Sequence, residues 1–174
     1  MLIVMAGLPG AGKSTVAGAL GRELPAPVVS VDPVEAAMWR AGVGRDQPTG
    51  LAAYAVAEAV ADDVLTLGQD VVVDAVNAVA EARAQWRALA VRRGVPLVFV
   101  EVLCSDPALH RARLERRSRG LSGFPEPTWE AVQGLRSAFA PWTDERLRLD
   151  SAADLSRNVG TALEFLARRR STGP

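Results

Sequence analysis

The sequence predicts a three-layer α/β fold built on a five-stranded parallel sheet, and three observations carry that prediction. Short Val/Leu/Ile-rich segments without polar alternation recur along the chain, the pattern of strands covered on both faces. A helical stretch separates each such segment from the next, which implies right-handed crossovers and helices on both sides of the sheet. The first apolar segment runs directly into a glycine-rich loop and then a helix. With 174 residues, 49% hydrophobic and 23% charged, the chain has the size and composition of one folded domain. We assign that domain to 1–170, with a lid at about 111–127, and read 171–174 as a disordered tail.

The elements follow in order. Leu2–Ala6 has no charged residues before it and is too short for a signal sequence, so it reads as a buried strand. A helix is expected over 13–24, and a second strand over 28–31. The next helix, 33–41, opens with Asp32-Pro33-Val34-Glu35, which has the form of a capping box: Asp at N-cap, Pro at N1, Glu at N3. A longer helix covers 50–67. Val71–Asp74 is the third strand, followed by a helix over 79–93. Leu97–Leu103 is the fourth strand, interrupted by Glu101, for which the sequence offers no account. Helices over 107–118 and 128–139, a fifth strand at Arg146–Asp150 and a helix over 154–169 complete the chain, and 168–174 reads as a frayed helix end. Two glycine- and proline-bearing stretches, 42–50 and 120–127, are either connectors or the kind of loop that carries lids and substrate contacts.

Charge narrows the function classes. Twenty basic residues balance twenty acidic ones, which argues against a surface built mainly to hold a nucleic-acid backbone. A single cysteine, Cys104, excludes an intrachain disulfide and a multi-cysteine metal site, and fits a reducing compartment. No apolar run approaches a membrane span, and a cytoplasmic location is the expectation. Nineteen of the twenty basic residues are arginine; the one lysine is Lys13.

That lysine stands in Gly7-Leu8-Pro9-Gly10-Ala11-Gly12-Lys13-Ser14-Thr15, which fits G-x-x-x-x-G-K-[ST] between a strand and a helix. Such a loop turns its backbone N–H groups inward to make an anion site, and the helix behind it adds the positive end of its dipole. Gly10, Ala11, Gly12, Lys13, Ser14 and Thr15 are therefore the candidate nucleotide-binding residues. Lys13 would bridge the β- and γ-phosphates and the Ser14 hydroxyl would ligate Mg²⁺. Switch-type GTPases read guanine with Asn-Lys-x-Asp, which needs a second lysine, and protein kinases place their ATP lysine on a later strand. With Lys13 already used, both classes are excluded and ATP becomes the default donor; GTP held by other contacts stays open.

Aspartates stand at the ends of the second and third strands, Asp32 and Asp74. Ligands bind beyond the carboxyl ends of parallel strands, which places Asp74 beside the phosphate loop as a metal or acceptor contact, with a helix N-cap or turn role as the alternative. Asn77 either shares that site or begins the next helix. Asp32 is the candidate base for an attacking hydroxyl, with simple helix capping as its alternative. Between His110 and Gly120 lie Arg111, Arg113, Arg116, Arg117 and Arg119. Spacings of three and four put Arg113, Arg116 and Arg117 near one helix face, aimed at a transferring phosphoryl or simply solvated near a helix C-terminus. His110 reads as a surface or structural residue. Trp86, Trp129 and Trp142 read as packing residues, and Trp39 falls in the segment that could face an acceptor.

With these residues in hand the chain resembles the small P-loop kinases of the AAA_33, zeta-toxin-like type, a group similar to polynucleotide kinase domains, gluconate kinase and chloramphenicol phosphotransferase. The resemblance rests on 7–15, on Val-Ser-Val-Asp at 29–32, on Asp-Ala-Val-Asn at 74–77 followed by Arg83, and on His-Arg-Ala-Arg-Leu-Glu-Arg-Arg at 110–117. It implies strand order 2-3-1-4-5, Asp32 as general base, Asp74 near acceptor or metal, and a helical lid whose arginines, Arg113 and Arg117, reach the ATP phosphates. The group often carries an arginine three residues after the base. This chain has Glu35 there, which would suit an acceptor with a positive group such as an aminoglycoside.

The expectation is thus an ATP- and Mg²⁺-dependent kinase acting on a hydroxyl of a small molecule: a nucleoside, sugar or antibiotic. Lys13, Asp32, Arg113 and Arg117 form the catalytic set, Glu35, Trp39, Asp74 and Asn77 join Asp32 at the acceptor, and Ser14 and Asp74 hold the metal. A polynucleotide 5′-hydroxyl kinase and a non-catalytic ATP-binding regulatory module are the alternatives.

Overall fold

The computed structural model describes residues 1–117, 120–121 and 124–171. Five strands, β1 (Leu2–Ala6), β2 (Val28–Ser30), β3 (Val71–Asp74), β4 (Leu97–Leu103) and β5 (Arg146–Asp150), form one sheet in the order β2-β3-β1-β4-β5, with every pairing parallel. This is the order that the resemblance implied. The helices among the described residues are α1 (Lys13–Glu23), α2 (Val31–Arg40), α3 (Thr49–Thr66), α4 (Ala80–Arg93), α5 (Pro107–Glu115), α6 (Trp129–Ala138) and α7 (Leu155–Ser171).

β1 lies at the centre because all of its residues are apolar and can be buried on both sides. Its side chains alternate between two cores. Ile3 and Met5 pack with Val72, Val100 and Val102 beneath α1 and α7, whereas Leu2 and Val4 pack with Val71, Val73 and Phe99 beneath α3 and α4. Full burial of a side chain of this size contributes roughly 1.5–3 kcal/mol, so the two layers hold the sheet from both faces. Ala53, Ala57 and Ala61, four residues apart on α3, give that helix a small-residue stripe toward the sheet. Glu101 now has an account: its carboxylate pairs with Arg146 at 2.7 Å and Arg148 at 3.2 Å on the neighbouring β5.

Register decides what meets at the carboxyl ends. Met5 lies opposite Asp74, and Asp74 opposite Ser30, so the loop after β1, the last residue of β3 and the start of α2 converge on one edge.

Three expectations are corrected here. α2 begins at Val31, directly off β2, with extended Ser30 at its N-cap and no side-chain cap bond. Asp32 is therefore inside the first turn and does not form the capping box, and Glu35 accepts a hydrogen bond from Thr49 Oγ1 at 2.8 Å instead. Burial of Val31 in the core beneath α3 sets this start, and Pro33 is tolerated because first-turn N–H groups have no helical partner. α5 stops at Glu115, short of 118, so Arg116 and Arg117 leave the helix rather than continue its face. α7 runs to Ser171, and Arg169 and Arg170 pair with Glu145 and Asp70 instead of fraying. Residues 172–174 of the expected tail, and Arg119 with Ser118, Ser122 and Gly123 of the expected lid, lie outside the described residues. No described helix is long and apolar enough to cross a membrane.

Candidate active site

The phosphate loop is folded by close approach as much as by sequence. Gly7 has φ +134°, and a Cβ there would lie 2.1 Å from the Val102 carbonyl oxygen, so any side chain would push the loop off β4. The Gly7 N–H donates to the Val76 carbonyl at 3.1 Å, tying the loop to the segment after β3. Lys13, only 7% exposed, opens α1 and donates from Nζ to the Leu8 carbonyl at 3.1 Å.

Two cavities meet at this lysine. The first, about 390 Å³, is lined by Gly10, Gly12, Lys13, Ser14, Thr15, Arg113 and Arg117, and on its far side by Ser151, Ala153, Leu155 and Asn158 from the end of β5 and the start of α7. The second, about 260 Å³, is lined by Lys13, Ser14 and Arg117 again, with Ser30, Asp32, Pro33, Asp74 and Leu121. Lys13, Ser14 and Arg117 belong to both. The structure thus brings Asp32 and Asp74 to one side of the loop lysine and opens a larger space on the other.

Asp74 is 8% exposed and accepts a long contact from Ser30 Oγ at 3.5 Å. The Tyr54 hydroxyl accepts the Asn77 N–H at 3.1 Å. Burial pushes the phenol up to about 12, with the negative fields of Asp32 and Asp74 acting in the same direction, so it stays a neutral O–H beside those carboxylates. For Mg²⁺, the Ser14 hydroxyl and the Asp74 carboxylate facing one cavity supply hard oxygen donors, the kind that ion takes while keeping several waters. Among the described residues no group of three or more His, Cys, Asp or Glu could hold a metal without such help.

The arginine cluster divides. Arg113 donates to Ser151 Oγ at 2.8 Å and to the Ser151 carbonyl at 3.1 Å. Arg117 pairs with Glu126 at 3.6 Å while facing both cavities. Arg111 turns outward to Glu115 at 2.7 Å, and Arg116 is exposed at the end of α5.

Other expected site residues have structural partners. Asn77 is fully buried with φ +52°; its Nδ2 donates to the Met5 carbonyl at 2.7 Å and its Oδ1 accepts from Trp86 Nε1 at 2.9 Å. It therefore braces the turn after β3 and has no surface toward an acceptor. Glu35 and Trp39 lie outside the lining of the second cavity, the one that Asp32 and Asp74 face. Trp39 Nε1 donates to Thr49 Oγ1 at 2.9 Å, its ring stacks on Phe124 at 4.9 Å, and the Arg45 guanidinium lies 4.6 Å from its centroid. Ala11, 1% exposed, is buried within the loop and does not line the first cavity. Arg83, 1% exposed, donates to the carbonyls of Val79, Pro141 and Ala140 and covers Trp142 at 4.3 Å, a clamp on the segment after α6.

Sequence reasoning missed Tyr54, Ser30, and the wall formed by Ser151 and Asn158. The last had a signal: β5 also ends in aspartate. Asp150 accepts the Ser105 and Ala152 N–H groups at 3.0 Å, and its carboxyl is held below the ordinary range, the Ser105 side chain being the largest cause. Its carbonyl takes the Asn158 Nδ2 at 2.8 Å, which fixes the loop at the cavity.

Among solved structures, a sugar kinase from Janibacter sp. HTCC2649 is similar at TM-score 0.70 and 17% identity, covering 95% of this chain and 94% of its own. Mycobacterium tuberculosis APS kinase CysC, solved with AMPPNP and APS, is similar at 0.68 and 20%, covering 95% and 96%. Chaetomium thermophilum Kti12, solved with ADP-AlF3, is similar at 0.70 and 20%, covering 94% and 98%. These likenesses show a shared P-loop kinase fold. No protein with a curated description matches the chain in sequence. The AAA_33 profile, described as an AAA domain, matches residues 2–141, from β1 through the phosphate loop, Asp32 and Asp74 to just past the end of α6. By that match the chain belongs to the AAA_33 family.

Proposed function

We propose that the protein is an ATP- and Mg²⁺-dependent phosphotransferase acting on a hydroxyl group of a small molecule. The observation that carries this reading is the pair of cavities joined at Lys13, Ser14 and Arg117, with Asp32 on the acceptor side only. A protein that merely binds nucleotide needs the first cavity; a second one, tipped with a carboxylate, suits an acceptor.

The triphosphate lies against the loop N–H groups and α1, with the base toward Ser151 and Asn158. Asp32 takes the proton of the acceptor hydroxyl as its oxygen bonds to the γ-phosphorus. The bond from that phosphorus to the β,γ-bridging oxygen breaks, and ADP leaves. Lys13 and Arg117, which face both spaces, offset the charge spread over the transferring oxygens. Ser14 and Asp74 hold Mg²⁺, which when bound supplies charge neutralisation at the phosphates. Tyr54, kept protonated, accepts the Asn77 N–H and so braces the turn that follows Asp74.

The acceptor-side cavity is modest, about 260 Å³, which suits a sugar-sized molecule. Similarity to a sugar kinase agrees with that size. A coupled ADP-release screen over sugars, nucleosides and hydroxyl-bearing antibiotics, with phosphorus NMR on each hit, tests the reading. Acceptor-dependent ADP release with a new phosphate ester supports it; tight ATP binding without any acceptor across the panel overturns it.

A further inference from the structure

His110, the only histidine, is 1% exposed and lies beneath the phosphate loop. Its Nε2 is 2.8 Å from the Pro9 carbonyl oxygen, and its Nδ1 is 3.4 Å from a guanidinium nitrogen of Arg136 on α6. A carbonyl only accepts and a guanidinium only donates, so the partners assign the tautomer: the proton is on Nε2 and the lone pair on Nδ1. Burial first, and then Arg136, Lys13 and Arg113, keep the imidazole below its ordinary pKa against the pull of the Pro9 carbonyl, so the neutral form is the resting one. The edge of Trp129, 5.2 Å away at 87°, fixes the ring plane.

The consequence lies in the Pro9–Gly10 peptide. In a trans peptide the C=O and the following N–H point in opposite directions, and the chain has no cis bonds. A Pro9 carbonyl drawn down onto His110 therefore turns the Gly10 N–H up, and Gly10 lines the nucleotide-side cavity. The loop has little slack to do otherwise: Gly10 has φ +79°, and a Cβ there would come within 3.2 Å of Leu114 and 3.3 Å of His110 Cδ2.

We propose that His110 is a positioning residue for phosphate binding: its Nε2–H sets the Pro9–Gly10 peptide so that the Gly10 N–H faces the phosphates, and its Nδ1 ties that peptide to α6 through Arg136. The role rests on the loop being the ATP site, and it adds to that reading the side chain that pre-orients one of the loop's donors. It also couples the loop to both helices flanking the 116–128 segment, since His110 is on α5 and Arg136 and Trp129 are on α6. Pre-orientation of this kind matters because a backbone donor aimed before the ligand arrives loses no binding free energy to reorganisation.

The test compares His110→Gln with His110→Phe. Glutamine places an amide N–H near the position of Nε2, whereas phenylalanine fills the space and cannot donate. Affinity for AMPPNP with Mg²⁺ is measured by calorimetry on each full-length variant, together with its melting temperature. We expect His110→Gln within about threefold of the parent and His110→Phe weaker by about five- to tenfold, the size of one lost hydrogen bond, out of proportion to any difference in melting temperature. Parent-like affinity in His110→Phe overturns the role and leaves the nucleotide site standing. Equal losses in both variants that track their melting temperatures also overturn it, as simple packing. A folded parent that binds no AMPPNP overturns the nucleotide reading, and the role of His110 with it.

Discussion

Arg113 reaches from α5 to Ser151 after β5, donating to both its hydroxyl at 2.8 Å and its carbonyl at 3.1 Å. This double contact closes one wall of the nucleotide-side cavity: without it the end of α5 and the loop after β5 are separate surface features. Arg113→Ala should weaken ATP binding by about tenfold, while Ser151→Ala, which keeps the carbonyl contact, should cost about threefold or less. Calorimetric titration of both single variants and the double variant checks this. The double variant should be little worse than Arg113→Ala, because both substitutions remove the same contact.

Lys13→Ala should lower ATP turnover at least about a hundredfold, the range seen when a charged donor to a transition state is removed. The circular dichroism spectrum should stay native, since losing the ammonium's bond to Leu8 leaves the loop held by the close approach of Gly7 to β4 and by the backbone bonds Gly7 N–H to Val76 and Ala11 N–H to Leu8. Lys13→Arg should fare little better. A planar guanidinium fork does not reproduce the compact ammonium that meets the Leu8 carbonyl and faces both cavities. Steady-state ADP release by both variants is the measurement.

Asp32→Asn should reduce transfer to the acceptor about 10²- to 10⁴-fold, the usual contribution of a positioned general base. It should leave ATP affinity within about threefold, because Asp32 lines only the acceptor-side cavity. Asp32 sits in the first turn of α2 without capping it, so the substitution should lower the melting temperature only by the modest amount that goes with losing a charge near a helix N-terminus. Equal losses of transfer and of ATP binding would count against its role as base.

Asn77→Ala should destabilise the fold by about 2–4 kcal/mol. It removes two buried hydrogen bonds, leaves the Trp86 N–H unpaired, and puts a side chain less suited to positive φ at +52°. For a chain of this size that is roughly 5–15 °C in Tm. A scanning calorimeter decides the point, and a shift under about 2 °C would show that the turn after β3 is held by other contacts.

The phosphate loop was legible because its signals are local: an apolar strand, glycines at fixed offsets, Lys13 and Ser14, then a helix. Strand order followed from resemblance and not from the residues, since parallel pairing joins segments far apart in the chain. Asp32 carried helix capping as its alternative because Asp-Pro-Val-Glu is a strong local pattern; burial of Val31 against α3, a non-local contact, moved the helix start and put Asp32 inside the first turn. Asn77 looked like a ligand from its distance to Asp74, and lost that role to Trp86 and Met5, nine and seventy-two residues away. Tyr54 carried no motif at all, and only the packing of α3 brings its hydroxyl to the Asn77 N–H after β3.

Short-range patterns were enough to read the alternation of strands and helices, the phosphate loop, and the place within it of the one lysine among arginines. These depend on short-range periodicity and on what a backbone-lined phosphate cup admits. The tertiary structure decided the rest. Register brought Ser30, Asp74 and the loop to one edge; Arg113 and Ser151 closed one cavity and Asp32 opened onto the other. His110, read as a bland residue from sequence, became the pin under Pro9. A side chain's chemistry is written in its type, but which partners consume it and which space it faces are set by contacts across the sheet, and those form only when distant segments pack.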